Sequence, residues 1–339
     1  MATLRFSVAI TVFAVAFLSW LILSSVTLAQ LDNLVMPRTE EGRPDLQGVW
    51  LSNAAIPMER PEALADRPHL TDEEVAVLQT RANRIFRNGR SAYATPASAF
   101  RAALDDVETY EAWSTSSSIG MVDVSVTGQT SLVVDPPDGK IPARTVAAQS
   151  REAAVADGWK FKTGPEDFSS IHRCITTGVP RLGGNFGAGP YTYYQIVQTS
   201  EYFVLLSEAF HDARIVPLDG RPHISGRVRQ WNGDSRGYWD GDALVVETKN
   251  FSPQTQHRFP SSLDTVAVER YRRLDNNTIE HTFTIRDEDV YTQSWTGMRH
   301  MPRMPEYIIY EYACHEGNYA VPNMLAGSRA DERVASEGR

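Results

Sequence analysis

Apolar and polar residues alternate in short runs through the second half of the chain, and this pattern predicts β-strands. The runs are rich in β-branched and aromatic residues and are separated by Gly, Pro, Asn and Asp turns. They span residues 193–198, 202–210, 213–218, 243–249, 265–274, 278–285 and 307–314. Asp240-Gly241-Asp242 and Asp275-Asn276-Asn277 are expected to be hairpin connections. Short strands joined by tight turns predict a mainly β fold, an antiparallel meander that forms a barrel or a sandwich.

The first half of the chain has a less regular pattern. The clearest helix is predicted over residues 69–88, where Thr71 and Glu74 form a capping box ahead of apolar residues at helical spacing. Short strands are expected at 46–51 and 131–134. Residues 90–130, rich in Ala, Ser and Thr, predict a loop with at most one helix.

The N-terminus predicts export. Residues 1–29 match a Sec-type signal peptide, because Arg5 precedes the apolar run Phe6–Leu23 and small residues lead to a cleavage site after Ala29. An uncleaved anchor is the alternative, since the run approaches the length that spans a bilayer. The remaining parts are expected to be a helical and irregular segment, a β-barrel or sandwich domain and a disordered tail, over residues 30–165, 166–329 and 330–339.

Composition narrows the class of partner and the compartment. A formal net charge of −9 argues against nucleic acid, because neutralising phosphates requires a surplus of Lys and Arg. The chain has two cysteines, Cys174 and Cys314, and in an oxidising compartment such a pair usually forms a disulfide. A reactive thiol or a metal ligand is the alternative, since His315 follows Cys314. We expect a periplasmic or secreted protein, in contact with a membrane only through the N-terminal segment if that is uncleaved.

The densest group of reactive side chains lies between Glu208 and Lys249. Neighbouring residues of a strand point to opposite faces, so Asp212 and Arg214 are expected to share a face and to pair. In a functional reading, His211 is a general acid or base, Asp212 orients it, and Arg214 stabilises an anion. The alternative is a structural Asp–Arg pair beside a His that caps the turn.

A second group of candidate catalytic residues surrounds Cys314. A disulfide to Cys174 would bring His315 and Glu316 close to Arg173, and a His beside a Glu is a plausible acid–base element. Capping of the last predicted strand explains the same residues without catalysis.

Further residues suit substrate binding. Aromatic side chains interleaved with carboxylates are typical of sites for carbohydrates or other polyhydroxylated ligands, although the same Gly- and Asp-rich segments also make turns. His281 is expected on an apolar face that would line a barrel cavity, and a loop with Tyr291, Trp295 and Arg299 could close over it. The predicted substrate-binding residues are His223, Arg229, Trp231, Asp234, Trp239, His281, Tyr291 and Trp295. A zinc site of His211, His223 and His257 is an alternative, but their spacing lacks the short repeat of a metal motif, so we expect no metal.

Several motifs carry a resemblance to a known group. They are Pro44–Trp50, Leu132–Ile141, Arg173–Pro180, His211–His223, Gly233–Thr248 and Tyr310–Tyr319. From about Pro44 to Arg329 the chain resembles a family of secreted bacterial proteins from acidobacteria and proteobacteria, and the resemblance implies no particular activity. The loop Gly183–Gly189 departs from the Asn-rich pattern of that family. Gly48-Val49-Trp50 is similar to the start of lipocalin-like barrels, in which the Trp closes the barrel floor.

These patterns predict an exported enzyme that works by His, Asp and Glu acid–base chemistry on a small organic or sugar-derived substrate. Lyase, isomerase and hydrolase reactions all fit, because none of them needs a cofactor. No cofactor is expected, since the sequence has neither a phosphate-binding loop nor a dinucleotide fingerprint. The main alternative is a non-catalytic, lipocalin-like protein that binds a small molecule, and a surface adhesion module is a third possibility.

Overall fold

The computed structural model describes residues 36–52, 55–86, 96–108, 126–158, 162–178, 182, 191–255, 257 and 259–337. The expected signal peptide and the Gly183–Gly189 loop lie outside these residues. Within these ranges, no helix combines the length and the apolar character needed to cross a bilayer.

The described part of the chain is mainly β, as predicted. Its strands are β1 (Gly48–Leu51), β2 (Val133–Asp135), β3 (Tyr193–Gln198), β4 (Tyr202–Ser207), β5 (Ala213–Pro217), β6 (Asp234–Asp240), β7 (Ala243–Lys249), β8 (Val266–Arg273), β9 (Thr278–Arg286) and β10 (Trp295–Pro302). They form two antiparallel sheets, one in the order β1-β3-β4-β5 and one in the order β2-β10-β9-β8-β7-β6. Each of the long hairpins joins neighbours in sequence, which is the expected meander.

The helices lie outside the two sheets. They are α1 (Asp72–Phe86), α2 (Pro96–Leu104), α3 (Val146–Gly158) and α4 (Ala320–Glu337). The capping box before α1 is present: the Thr71 N–H donates to Glu74 Oε2 over 2.9 Å, and the Glu74 N–H donates to Thr71 Oγ1 over 3.3 Å. Leu78 and Ala82 of α1 pack against Phe100 of α2, so this helical pair has a small core of its own.

Three predicted elements differ from the structure. Residues 307–314 are not a strand; they form an irregular segment beside the four-stranded sheet, where the ring centres of Tyr307 and Tyr193 stack 3.7 Å apart. The segment that contains Trp295 and Arg299 is β10 rather than a loop. Residues 330–337 continue helix α4, where a disordered tail was expected; the Ala, Arg and Glu residues there favour a helix.

The main core lies between the two sheets. The four-stranded sheet contributes Tyr194, Ile196, Phe203, Leu205 and Val216, and the six-stranded sheet contributes Leu244, Val246, Tyr271, Ile279 and Met301. Because the inward residues alternate along each strand, the two faces interlock as in a β-sandwich. The approach is close at Gly237, where a Cβ atom would lie 2.6 Å from Leu218.

Trp50 lies at one end of this core. Its side chain is fully buried, its Nε1–H donates to the Leu46 carbonyl over 2.9 Å, and the Arg273 guanidinium lies 5.5 Å from its ring centre. A single bridge from Trp50 to Arg303 links the two sheets nearby. Among the described residues, the strand edges do not otherwise join into one closed barrel.

Gly297 on β10 offers a test of packing inside the six-stranded sheet. It lies opposite Phe283 of β9, and a Cβ atom there would meet the Phe283 ring, with Cε1 at 2.7 Å. We expect Gly297→Ala to lower the free energy of unfolding by about 1–3 kcal/mol, because the ring has to move within a packed core. Equilibrium unfolding in urea measures this.

Gly327→Ala is the matched control for Gly297→Ala. Gly327 lies in α4 with nothing within 4 Å of the added methyl group, so the same substitution should leave stability unchanged or raise it slightly. Equal stability of the two variants would contradict the packing described for Phe283.

Candidate functional site

A cavity of about 510 Å³ opens between β5 and β6, each of which is an edge strand of its sheet. Residues 212–215, which enter and form β5, line one side, and residues 229–235, which lead into β6, line the other. We call it the seam cavity. Its volume lies in the range of sites for small molecules, and its walls carry both acidic and basic side chains.

A strained turn precedes residues 212–215, the first wall of the seam cavity. Phe210 and His211, between β4 and β5, both have positive φ values, 62° and 52°. The Phe210 ring packs edge-on against Tyr191 and Tyr312, and His211 Nε2 accepts the backbone N–H of Tyr312 over 3.2 Å. Since left-handed backbone is costly for residues other than glycine, these contacts hold the turn in place.

Asp212 follows this turn and is half-buried at the cavity wall. Its carboxylate accepts hydrogen bonds from Thr176 Oγ1 and, over 2.9 Å, from Asn232 Nδ2. The predicted pairing of Asp212 with Arg214 is wrong. Asp212 still belongs to the turn before β5, so the alternation of a strand does not place the two side chains together.

Arg214 instead points into the core and joins a group of buried polar side chains. Its Nη1 is 2.5 Å from Glu269 Oε2, and Tyr271 Oη donates to Glu269 Oε1 over 2.7 Å. His281 Nε2 lies 3.1 Å from Glu269 Oε1, and Arg299 Nε donates to His281 Nδ1 over 3.1 Å. These five residues, each 5% exposed or less, are called the buried cluster.

The contacts of His281 determine where its proton lies. A guanidinium can only donate, so Nδ1 must accept from Arg299, and the ring proton is on Nε2, which donates to Glu269. Burial holds the pKa of His281 down at about 4, so the ring is neutral at pH 7.

Glu269 is the anion of the buried cluster. Burial alone would raise its pKa, but the charge of Arg214 and the hydrogen bond from His281 outweigh burial and bring the pKa to about 2. Burial raises the pKa of Tyr271, which therefore stays protonated. With two guanidiniums and one carboxylate, the buried cluster carries a formal charge of +1.

One nitrogen atom of Arg214 has no hydrogen-bond partner among the described residues. Nη1 and Nη2 bond to Glu269 and Tyr271, whereas the buried Nε–H has no acceptor within the described ranges. Arg214 also lines the seam cavity. A buried donor without a protein partner can donate to a group that binds in the cavity.

The second predicted catalytic group is placed elsewhere. The expected disulfide is present, with 5.7 Å between the Cα atoms of Cys174 and Cys314. His315 and Glu316 are exposed and do not line the seam cavity. Arg173 is not directed toward them; its guanidinium lies 5.9 Å from the ring centre of Trp231.

Of the predicted substrate-binding residues, Arg229, Trp231 and Asp234 line the seam cavity. Asp234 is already engaged, since His223 Nδ1 lies 2.7 Å from it and Arg236 pairs with it at 2.7 Å. Trp239 packs against the main core rather than lining the cavity.

Tyr291 and Trp295 do not close over a cavity as expected. Both are buried. They belong to a second apolar cluster, which includes Ala267 and Phe283 and is separate from the main core between the sheets. Tyr291 Oη donates to the Pro260 carbonyl over 2.8 Å, and Trp295 begins β10. They are therefore core residues.

The three histidines of the alternative metal site are dispersed. His211 bonds to Tyr312, His223 lies between Asp234 and Glu247, and the His257 ring stacks on Phe259 at 5.0 Å. In the described part of the chain, no group of three or more His, Cys, Asp and Glu side chains could hold a metal ion.

Sequence reasoning missed Glu269, Tyr271, Thr176 and Asn232. The sequence does contain a signal for Glu269 and Tyr271. Alternation along β8 places both side chains on the inward face with Ala267. A Glu on an inward face needs a buried partner for its charge. Comparisons with protein-family models, curated proteins and solved structures found no match to this chain.

Proposed function

We propose that this chain is an exported enzyme that performs acid–base chemistry on a small organic or sugar-derived substrate in the seam cavity. One observation carries the proposal: a carboxylate, Asp212, and a buried guanidinium whose Nε–H has no partner among the described residues, Arg214, belong to the same cavity. Ionisable groups around one cavity favour an enzyme, because burying them for binding alone is costly. The apolar N-terminal run and the disulfide support export.

Asp212 and Arg214 have complementary roles in this proposal. Asp212 removes a proton from a substrate carbon next to a carbonyl or carboxylate group, so that the C–H bond breaks and an O–H bond forms on Asp212. The electron pair of the C–H bond moves onto the substrate oxygen, and the Arg214 Nε–H stabilises the resulting enolate. Isomerases and lyases share this step; in a hydrolase, Asp212 would instead activate water.

The remaining residues position this pair. Glu269 and Tyr271 fix the guanidinium of Arg214, and Thr176 and Asn232 fix the carboxylate of Asp212. A site held by neighbours in this way loses little free energy to reorganisation when the substrate binds. His211, predicted as the acid or base, contributes by holding the turn before Asp212.

The finer architecture is proposed as a lipocalin-like sandwich that is open along one seam. Trp50 and Arg273 fill one end of the core, and a bridge at Trp50 links the two sheets there. The opposite edges, β5 and β6, remain separate and leave room for the seam cavity.

Proton exchange tests the proposed chemistry before the full reaction is known. The protein is incubated in D₂O with a panel of α-hydroxy acids, α-keto acids, aldoses and uronic acids, and loss of carbon-bound protons is followed by ¹H NMR. We expect catalysed exchange with at least one member and at least a roughly hundredfold loss of rate in Asp212→Asn, which removes the base.

Asp219→Asn is the matched control for this experiment. Asp219 is exposed, pairs with Arg221 and does not line the seam cavity, so exchange should persist in this variant. Equal exchange rates in the two variants would exclude Asp212 as the base. Binding of panel members with neither proton exchange nor hydrolysis would instead assign the non-catalytic carrier function.

A further inference from the structure

Arg229 differs from Arg214, the other arginine that lines the seam cavity. Arg214 is paired with Glu269, and Asp234 is paired with Arg236. Arg229 is half-buried, its Nη1 donates to the Leu263 carbonyl, and it forms no ion pair with any residue that the structure describes. The wall of the seam cavity therefore includes an arginine that forms no ion pair with a described carboxylate, and Asp212, which also forms none, lines the same cavity.

The rest of the wall from Gln230 to Ser235 is suited to hydroxyl groups. Gln230, Asn232 and Ser235 line this wall. Asn232 Nδ2 donates to Asp212 over 2.9 Å, and the hydroxyls of Ser235 and Thr248 share a hydrogen bond of 2.9 Å. Trp231 adds an aromatic surface next to these polar groups. Amides with a neighbouring indole can bind a polyhydroxylated carbon skeleton, through hydrogen bonds to its hydroxyls and through contact with its C–H faces.

We propose that the ligand of the seam cavity is a small hydroxylated carboxylate, a sugar acid in chemical class, whose carboxylate binds Arg229. This inference rests on the proposed function only in using the same cavity, and it names the substrate class. An Arg–carboxylate pair is frequently bidentate, so it orients the ligand as well as attracting it. The carbon next to the carboxylate is then the one whose proton Asp212 removes. The electron pair of that C–H bond moves onto the carboxylate oxygens, where Arg229 stabilises the charge on one oxygen and Arg214, which lines the same cavity, stabilises the charge on the other.

Paired acidic and neutral probes separate the carboxylate from the hydroxyls. Sodium D-gluconate is compared with D-glucitol, and sodium D-glucuronate with D-glucose, by isothermal titration calorimetry at constant ionic strength. We expect the acids to bind at least about tenfold more tightly than their neutral counterparts, as for a charge-assisted hydrogen-bonded pair.

Two arginines of the same segment provide the variant and its control. Arg229→Gln is expected to remove the preference for the acids. Arg227→Gln makes the same change of net charge two residues away, at an exposed side chain that does not line the cavity, and should retain the preference. Circular dichroism and thermal unfolding should show that both variants are folded.

The outcomes separate this inference from the proposed enzyme. Equal affinity for acids and neutral sugars, or equal loss in Arg229→Gln and Arg227→Gln, would overturn the carboxylate ligand even if Asp212-dependent proton exchange is found on a neutral substrate. An Arg229-dependent preference for acids without any proton exchange would support the ligand class while rejecting the enzyme.

Discussion

Replacing Glu269 with Gln is expected to lower the free energy of unfolding by roughly 3–5 kcal/mol, the usual loss when one partner of a buried ion pair is removed. Glu269 is fully buried and accepts from Arg214, Tyr271 and His281. A Gln amide keeps the size of the side chain but leaves the Arg214 guanidinium buried without an opposite charge. The loss is thus electrostatic rather than steric.

Glu280→Gln is the matched control for Glu269→Gln. Glu280 lies on the neighbouring strand β9 and pairs with Arg272, whose side chain is 54% exposed. Exposed pairs contribute about 0–1 kcal/mol, so this variant should unfold close to the wild type in guanidinium chloride. If the free energies of unfolding of the two variants differed by less than about 1 kcal/mol, the result would contradict a buried ion pair between Glu269 and Arg214.

A double variant tests the cause of the loss. Arg214→Met with Glu269→Leu removes both charges and fills the space with apolar atoms, and such replacements are often neutral or stabilising. We expect the double variant to unfold at a higher concentration of guanidinium chloride than Glu269→Gln. It should nevertheless lose Asp212-dependent proton exchange, because it lacks the donor proposed for the enolate. This combination would show that the buried cluster is retained for the site rather than for stability.

The strands that the sequence predicts best are those with apolar residues on their inward faces. β8 and β9 alternate cleanly, β7 begins with a buried apolar run, and the hairpin at Asp240-Gly241-Asp242 joins β6 to β7. β6 and β10 escape prediction because Asp234 and Arg299 are buried and each strand contains a glycine. Strand prediction depends on apolar residues at every second position, and a buried polar residue breaks this alternation.

The sequence predicts the candidate site only in part, because some of its contacts join residues that are far apart in the sequence. Local spacing singles out Asp212, Arg214, Arg229 and Trp231, which the structure brings to one cavity because its two walls are short continuous segments. It gives Arg214 the wrong partner, since Glu269 lies 55 residues away on the opposite sheet. Spacing also favours His315 and Glu316, whose dense polar neighbourhood belongs to an exposed segment tied down by the disulfide.

The disulfide should have the second large effect. Replacing Cys174 and Cys314 with Ser is expected to lower the free energy of unfolding by about 4–5 kcal/mol in the chain-entropy account, because the bond closes a loop of 140 residues. Unfolding of the wild type with and without dithiothreitol measures the same quantity. The double Ser variant is the control, since its unfolding should not respond to the reductant. A wild type that is equally stable when reduced would contradict this contribution.

Loss of the disulfide should also disturb the position of Asp212 in the seam cavity. Thr176, two residues after Cys174, donates to Asp212, and Tyr312, two residues before Cys314, donates its backbone N–H to His211. The bond therefore ties together the segments that hold the strained turn and the carboxylate of Asp212. We expect the reduced protein to lose proton exchange at denaturant concentrations where it is still folded. If exchange instead disappeared only together with global unfolding, the disulfide would stabilise the fold without positioning Asp212.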